Sequence, residues 1–176
     1  MGSSKSKNQP LRVLVIGARN AGKTHFLDMF YFGGDSTKIP THGFNEMVVH
    51  QPYCKRKVRL VEYGAHIEWA SVFRAHKHDF DAIYLVMRSD APAEEIMESN
   101  NALLHMCELL PHAVVAIIWN LVPSSSGEAR SLQWAPRSNS SCVCYMDFSK
   151  VGWTERVCEL FEWTIVNSNS AKKRAA

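Results

Sequence analysis

The chain has no apolar run near the ~18 residues that cross a bilayer. Its longest strongly apolar stretch, Ala113 to Trp119, is strand-sized. No secretory hydrophobic region follows the N-terminus. Cysteine is sparse: five residues, an odd number, without a CxxC pair, which argues against a disulfide framework and against a zinc site. Cys142 and Cys144 fall two apart in an apparent strand, on one face, as core-packing residues do. The histidines lack zincin spacing, and His76-x-His78 beside Lys77 reads as solvated surface. Charge of one sign is also missing: twenty Lys and Arg against seventeen Asp and Glu give +3, too mild for a nucleic-acid binder. There is no internal repeat. What is present is ordinary globular usage, 46% apolar and 21% charged, over 176 residues, the size of a single domain. The expectation from these features is a cytoplasmic, reduced protein.

The chain alternates strand and helix signals. Met1 to Pro10 is polar and aperiodic, a tail. Leu11 to Ile16 is a buried strand ended by Gly17. From Gly22 to Phe32, Phe26, Leu27 and Phe30 keep helical spacing until Gly33 and Gly34. Glu46 to Gln51 and Lys57 to Tyr63 form an antiparallel hairpin. Ala82 to Met87 and Ala113 to Trp119 are buried strands, with a helix between them over Ala93 to Leu110. A weak helix is expected around Ala129 to Trp134, a last strand over Cys142 to Phe148 and a last helix over Trp153 to Val166. Residues 167–176 read as a polar basic tail. The expected fold is α/β, a mainly parallel sheet with helices on both faces.

Gly17-Ala18-Arg19-Asn20-Ala21-Gly22-Lys23-Thr24 fits G-x-x-x-x-G-K-[ST], between an expected strand and an expected helix. Such a loop curls successive backbone N–H groups around phosphate oxygens. Lys23 is expected to reach the β and γ phosphates, and the Thr24 hydroxyl to sit on Mg²⁺.

Further segments line up behind this loop. Ile39-Pro40-Thr41-His42-Gly43-Phe44-Asn45 resembles the switch I motif IPTxGFN of the ADP-ribosylation-factor-like (Arf-like) small GTPases of the Ras superfamily. Glu62-Tyr63-Gly64-Ala65-His66 stands where that family has D-x-G-G-Q, and Asn120-Leu121-Val122-Pro123 where it has the guanine-reading NKxD. Phe161-Glu162-Trp163 resembles a common ending of its final helix. The resemblance spans Leu11 to Val166. It implies one P-loop small-GTPase domain over residues 11–166, with a six-stranded sheet carrying an antiparallel interswitch strand.

The resemblance also implies roles. Gly17, Arg19, Asn20, Ala21, Gly22, Lys23, Thr24, Ala65 and Asn120 are the expected nucleotide contacts. Thr24, Thr41 and Glu62 are the expected Mg²⁺ ligands or metal-steadying groups. His66 stands at the position of the Gln that orients the attacking water, and an imidazole also hydrogen-bonds water. Glu62 replaces an Asp, moving the carboxylate one bond outward. Ala65 replaces a Gly. Pro123 has no acceptor for guanine, so guanine selectivity is expected to be weak. Leu121 replaces a Lys, and the Ser149 region lies near the third base-contacting element. Arg19 either stabilises the γ-phosphate, acts as a built-in arginine finger or blocks water.

Met1-Gly2-Ser3-Ser4-Lys5-Ser6 fits the N-myristoylation pattern. One acyl chain binds marginally, about 10⁴ M⁻¹, and nearby lysines add to it on an anionic leaflet. The leading expectation is a membrane-recruited nucleotide (GTP) switch in vesicular or intracellular protein trafficking, with weak guanine selectivity and slow hydrolysis. Its cofactor is Mg²⁺ with GTP; its partners are a membrane, through acylated Gly2 and basic residues, and effectors at the switch I, interswitch and switch II face. Two alternatives stand: a nucleotide-independent pseudo-GTPase adaptor, and a P-loop kinase.

Overall fold

A computed structural model of the chain describes residues 9–30, 44–49, 56–63, 80–122, 140–147 and 153–175. In chain order they form β1 (Leu11–Ile16), α1 (Lys23–Asp28), β2 (Phe44–Val49), β3 (Val58–Tyr63), β4 (Ala82–Arg88), α2 (Ala93–Leu109), β5 (Val114–Asn120), β6 (Ser141–Met146) and α3 (Trp153–Ala175). The strands make one six-stranded sheet in the order β2-β3-β1-β4-β5-β6. Only the β2–β3 pair is antiparallel; β1–β3, β1–β4, β4–β5 and β5–β6 are parallel. The expected α/β architecture is therefore the observed one.

The central strands are apolar on both faces because both faces are covered. Val13, Val15, Tyr84, Val86, Ala116 and Ile118 pack with Phe26 and Leu27 of α1 and Val157, Leu160 and Phe161 of α3. The alternate residues Leu14, Ile16, Ile83, Leu85, Ile117 and Trp119 pack with Ile96, Leu103 and Met106 of α2. This period-two division places one helix layer on each side of the sheet. Aromatic rings bind the segment just after α1 to α3: Phe30 meets Trp153 edge-on at 5.8 Å and lies 5.6 Å from Phe161. Tyr84 Oη and Thr164 Oγ1 are hydrogen-bonded at 2.7 Å inside the same layer, and Thr164 Oγ1 donates to Leu160 O.

Strand ends differ from the sequence expectation by a residue or two, most at β2, which starts at Phe44 rather than Glu46. The larger correction is α3. The apolar pattern ends near Val166, yet the helix continues through Ala175. Polar side chains in the added turns bond back to the preceding turn: Asn167 Nδ2 to Trp163 O, Ser168 Oγ to Ile165 O and Ser170 Oγ to Val166 O. Ser168 is buried and Ala171 packs on the core, so small residues let the helix run on against the sheet. Residues 167–175 are thus helix, not a tail. The weak helix expected at Ala129 to Trp134 lies outside the described residues.

Candidate nucleotide-binding site

In this strand order β1 lies between β3 and β4, so the chain leaves β1 toward β2 and β3 on one side and then crosses from β3 to β4 on the other. The carboxyl end of such a strand is where open α/β sheets bind ligands. The loop from Gly17 to Gly22 leaves β1 there and enters α1 at Lys23.

The loop's conformation explains its residues. Gly17 has φ +150°, and a Cβ there would stand 2.2 Å from Val86 O of β4, so no other residue fits. Gly22 caps α1 in the left-handed region, φ 99° and ψ 16°. Between them Asn20 has φ 63°, a conformation Asn tolerates better than most side chains. Ala21 is buried beneath the loop, whereas Arg19 and Asn20 are exposed at its tip.

Lys23 folds back under this loop. Its Nζ donates to Gly17 O at 2.9 Å and Ala18 O at 2.8 Å. An ammonium has three donors, so one remains for an anion above the loop. Burial lowers the Lys23 pKa, and the charges of Glu62 and Glu95 oppose that shift.

Thr24 Oγ1 donates to Glu62 Oε1 at 2.8 Å, joining α1 to the end of β3. Glu62 is 2% exposed, and its other oxygen, Oε2, has no hydrogen-bond partner among the described residues. Burial is the main cause that raises the Glu62 pKa; the Thr24 hydrogen bond, the Lys23 charge and the Asn45 hydrogen bond act the other way, and Asp28 adds to the rise. A buried carboxylate oxygen without a partner, next to a hydroxyl, is a hard-oxygen donor set that suits Mg²⁺. The residues present therefore fit the metal: Thr24 and Glu62 would hold or steady it, and it would neutralise phosphate charge.

Asn120 is the last residue of β5, and its Nδ2 donates to Ala21 O at 3.5 Å, the long end of a hydrogen bond. Leu121 N donates to Met146 O and Val122 N to Ser89 Oγ, which fixes the segment after β5. Of the expected site residues, Gly17, Arg19, Asn20, Ala21, Gly22, Lys23, Thr24, Glu62 and Asn120 surround this one end of the sheet. Gly2, Thr41, Ala65, His66 and Pro123 lie outside the described residues. Asn45, which ends the switch I motif, and Ser89 are not among the expected site residues. The hairpin register, which pairs Asn45 with Glu62, is the signal for the first; nothing in the sequence marks the second.

Residues 1–122 match the ADP-ribosylation factor family. Over 115 residues the chain is 31% identical to ADP-ribosylation factor-like protein 1 of Drosophila melanogaster, covering 64% of this chain and 62% of that protein. Over 121 residues it is 32% identical to ADP-ribosylation factor 1 of Brassica rapa subsp. pekinensis, covering 68% and 65% respectively. The chain thus spans less than two thirds of the length of these curated relatives. A solved structure of the Arl6 BBS3 small GTPase of Trypanosoma brucei, with the nucleotide analogue GppNp bound, superposes with TM-score 0.67 at 13% identity. It covers 93% of this chain and 99% of that one, a likeness of fold.

Proposed function

The chain belongs to the ADP-ribosylation factor family, as a divergent Arf-like member of the Ras superfamily, and from that membership we propose that it is a membrane-recruited, Mg²⁺-dependent GTP switch in intracellular trafficking. The observation that carries this reading is the Lys23–Thr24–Glu62 arrangement: a buried ammonium with a donor to spare, and a hydroxyl bonded to a buried carboxylate with an unused oxygen. Lys23 and the loop backbone hold the phosphates. Thr24, Thr41 and Glu62 hold or steady the metal. Asn120 braces the loop from β5. His66 takes the water-orienting position with a weaker group than Gln, and Pro123 removes the carboxylate that selects guanine. Hydrolysis is accordingly slow and guanine selectivity low.

Triphosphate binding orders the switch segments around Thr41 and Ala65 and presents them, with the β2–β3 hairpin, to effectors. Residues 1–10 carry the acyl group on Gly2, and residues 11–166 are the nucleotide-binding unit. No helix among the described residues is long and apolar enough to cross a membrane, and a single acyl chain with basic neighbours gives reversible attachment.

The test is the nucleotide that co-purifies with the full chain, released by acid and separated chromatographically. A nucleoside di- or triphosphate near one per chain supports the switch. A nucleotide-free protein that melts at the same temperature with and without Mg²⁺-triphosphate makes it an adaptor. Phosphoryl transfer to an added acceptor makes it a kinase.

A further inference from the structure

Arg88 is the last residue of β4, the strand that pairs with β1. Two residues before it, Val86 O is 2.2 Å from where a Cβ on Gly17 would stand, so the end of β4 lies against the start of the phosphate loop. Tyr84 and Val86 face the layer that holds α1. Strand alternation puts Arg88 on that same face, about 7 Å further along than Val86. On its other side Arg88 is in register with Asn120, whose amide reaches Ala21 O of the loop. The Glu95 carboxylate, in the first turn of α2, acts electrostatically on both Lys23 and Arg88. A second cation therefore stands at the same end of the sheet as Lys23, between the phosphate loop and the segment after β5.

Asp90 holds the Arg88 guanidinium from the adjoining turn. Nε donates to Oδ1 at 2.8 Å, and Nη2 donates to Oδ2. The backbone closes that turn without the pair: Ala91 N donates to Arg88 O at 3.2 Å, and Ser89 N to Asn120 O at 2.9 Å. Both side chains are open to solvent, 38% at Arg88 and 28% at Asp90. Exposed ion pairs contribute little to stability, so the fold does not depend on this one. The pair instead keeps a planar donor fork, the geometry that matches a phosphate, on a weak partner beside a phosphate loop. Lys23 already gives two of its donors to Gly17 O and Ala18 O. A Mg²⁺-triphosphate is still an anion, and the one ammonium donor left leaves charge for another cation to meet.

We propose that Arg88 is a further binding residue of the nucleotide site: Asp90 holds its guanidinium in the ligand-free chain, and an entering phosphate chain takes the guanidinium over. The proposal rests on the nucleotide-switch reading above and adds a residue to it. The exchange needs only a rotation of the Arg88 side chain, because backbone hydrogen bonds fix the turn separately. A phosphate offers the fork a bidentate acceptor of higher charge than the exposed Asp90 carboxylate. Arg88 meets phosphate charge and leaves the choice of base untouched. Asp90 thereby sets the affinity, by competing with the nucleotide for the same donors.

The test is titration of the full chain with fluorescently labelled Mg²⁺-GTP, with unlabelled Mg²⁺-ATP as competitor and thermal melts alongside. Arg88→Gln is expected to weaken Mg²⁺-GTP binding by about tenfold. Arg88→Lys should weaken it less, since Lys keeps the charge and loses the fork. Asp90→Asn should do the opposite and tighten binding by about twofold to fivefold, because it releases the guanidinium. That gain should vanish when Asp90→Asn is combined with Arg88→Gln. All four proteins should keep the parental ratio of GTP to ATP affinity and the parental melting temperature without nucleotide. A purely structural ion pair would make the two single variants move in the same direction. Where the parent binds and Lys23→Ala does not, Arg88→Gln binding within about twofold of the parent overturns the role of Arg88 alone. So does an Asp90→Asn variant that binds no more tightly than the parent. A parent chain that binds no Mg²⁺-GTP overturns the nucleotide-switch reading itself, and the role of Arg88 with it.

Discussion

Thr24 and Glu62 are joined by a 2.8 Å hydrogen bond that spans 38 residues of sequence and closes the first turn of α1 against the end of β3. The bond satisfies one oxygen of a buried carboxylate and leaves the other without a partner among the described residues. A buried carboxylate in that state is stable only if it holds a proton or gains a cation. The same two side chains that close the site therefore make it ready for a metal, and the folded chain without ligand bears the consequence.

That consequence is visible in the pH dependence of stability. Burial raises the folded-state pKa of Glu62 above its ordinary value of 4.5, so the folded chain holds this proton more tightly than the unfolded chain does. The contribution to stability is present below the unfolded value and is lost as pH rises through the folded one. Glu62→Gln removes this dependence. In the nucleotide-free protein the variant should match the parent at low pH and exceed its melting temperature near pH ~7. Thermal melts of both proteins across that range decide it, and a parent as stable as the variant at neutral pH would show that Glu62 is not destabilised by its burial. With Mg²⁺-triphosphate present the order should reverse, because Gln cannot offer the charged oxygen.

The backbone of the phosphate loop gives a second prediction. Gly17→Ala places a Cβ against Val86 O in a conformation that L-residues rarely adopt, so β1 and β4 must separate locally. We expect a loss of about 2–3 kcal/mol together with nucleotide binding. Asn20→Gly, at φ 63°, should instead stay within about 0.5 kcal/mol of the parent, and Asn20→Ala should cost about 1 kcal/mol. Chemical denaturation of the three variants tests the set. A Gly17→Ala protein of parental stability would mean that the loop takes another path.

Much of this architecture is legible in sequence because the determining patterns are local. The short apolar run at Leu11 to Ile16, the glycines of the loop and the even spacing of Ile83, Leu85 and Met87 each specify their own structure. The phosphate-loop residues were legible for the same reason. The extension of α3 was not, because Asn167, Ser168 and Ser170 are poor helix signals until their side chains find carbonyls one turn back. Nor was the partnership of Asn45 with Glu62, which depends on the register of two strands and not on any spacing along the chain. Ser89 is a further step removed: its role comes only from a backbone N–H of Val122 that packing brings beside it.

Nucleotide should protect the fold. With Lys23 keeping a donor and Thr24 its hydroxyl, Mg²⁺-triphosphate at a hundredfold excess over its dissociation constant adds about 2.7 kcal/mol. For a chain of this size that raises the melting temperature by roughly 5–10 °C. Lys23→Ala should remove the shift, and Thr24→Ala should remove the part that depends on Mg²⁺. Melts with Mg²⁺-GTP, Mg²⁺-ATP and EDTA controls measure it. Protection that persists in Lys23→Ala would place the nucleotide elsewhere.

Base selectivity and hydrolysis rest on different residues and should depart from ordinary small GTPases separately. The segment after β5 is fixed by Ser89 and Met146, and Asn120 reaches the carbonyl of Ala21, so its amide braces the loop. In the proposed reading the guanine-reading acceptor position falls on Pro123, which has no acceptor side chain. We therefore expect GTP to be preferred over ATP by less than about tenfold, or roughly 1.4 kcal/mol. Competition of unlabelled ATP against labelled GTP gives the ratio directly. If ATP fails to displace GTP, another group, with Ser149 the first to replace, must be reading the base. For the chemistry, the proposed reading puts His66 at the position of a water-orienting Gln and Ala65 at that of a glycine whose N–H faces the γ-phosphate. Intrinsic hydrolysis should then fall below the ~10⁻⁴ s⁻¹ of an unassisted small GTPase in single-turnover assays. A rate at or above that value would require a group that does the work of the missing Gln. Arg19, exposed at the tip of the phosphate loop, and His66 are the two within this chain. Arg19→Ala and His66→Ala, assayed side by side, would show which of them restores the rate, since only the responsible substitution should bring it back down.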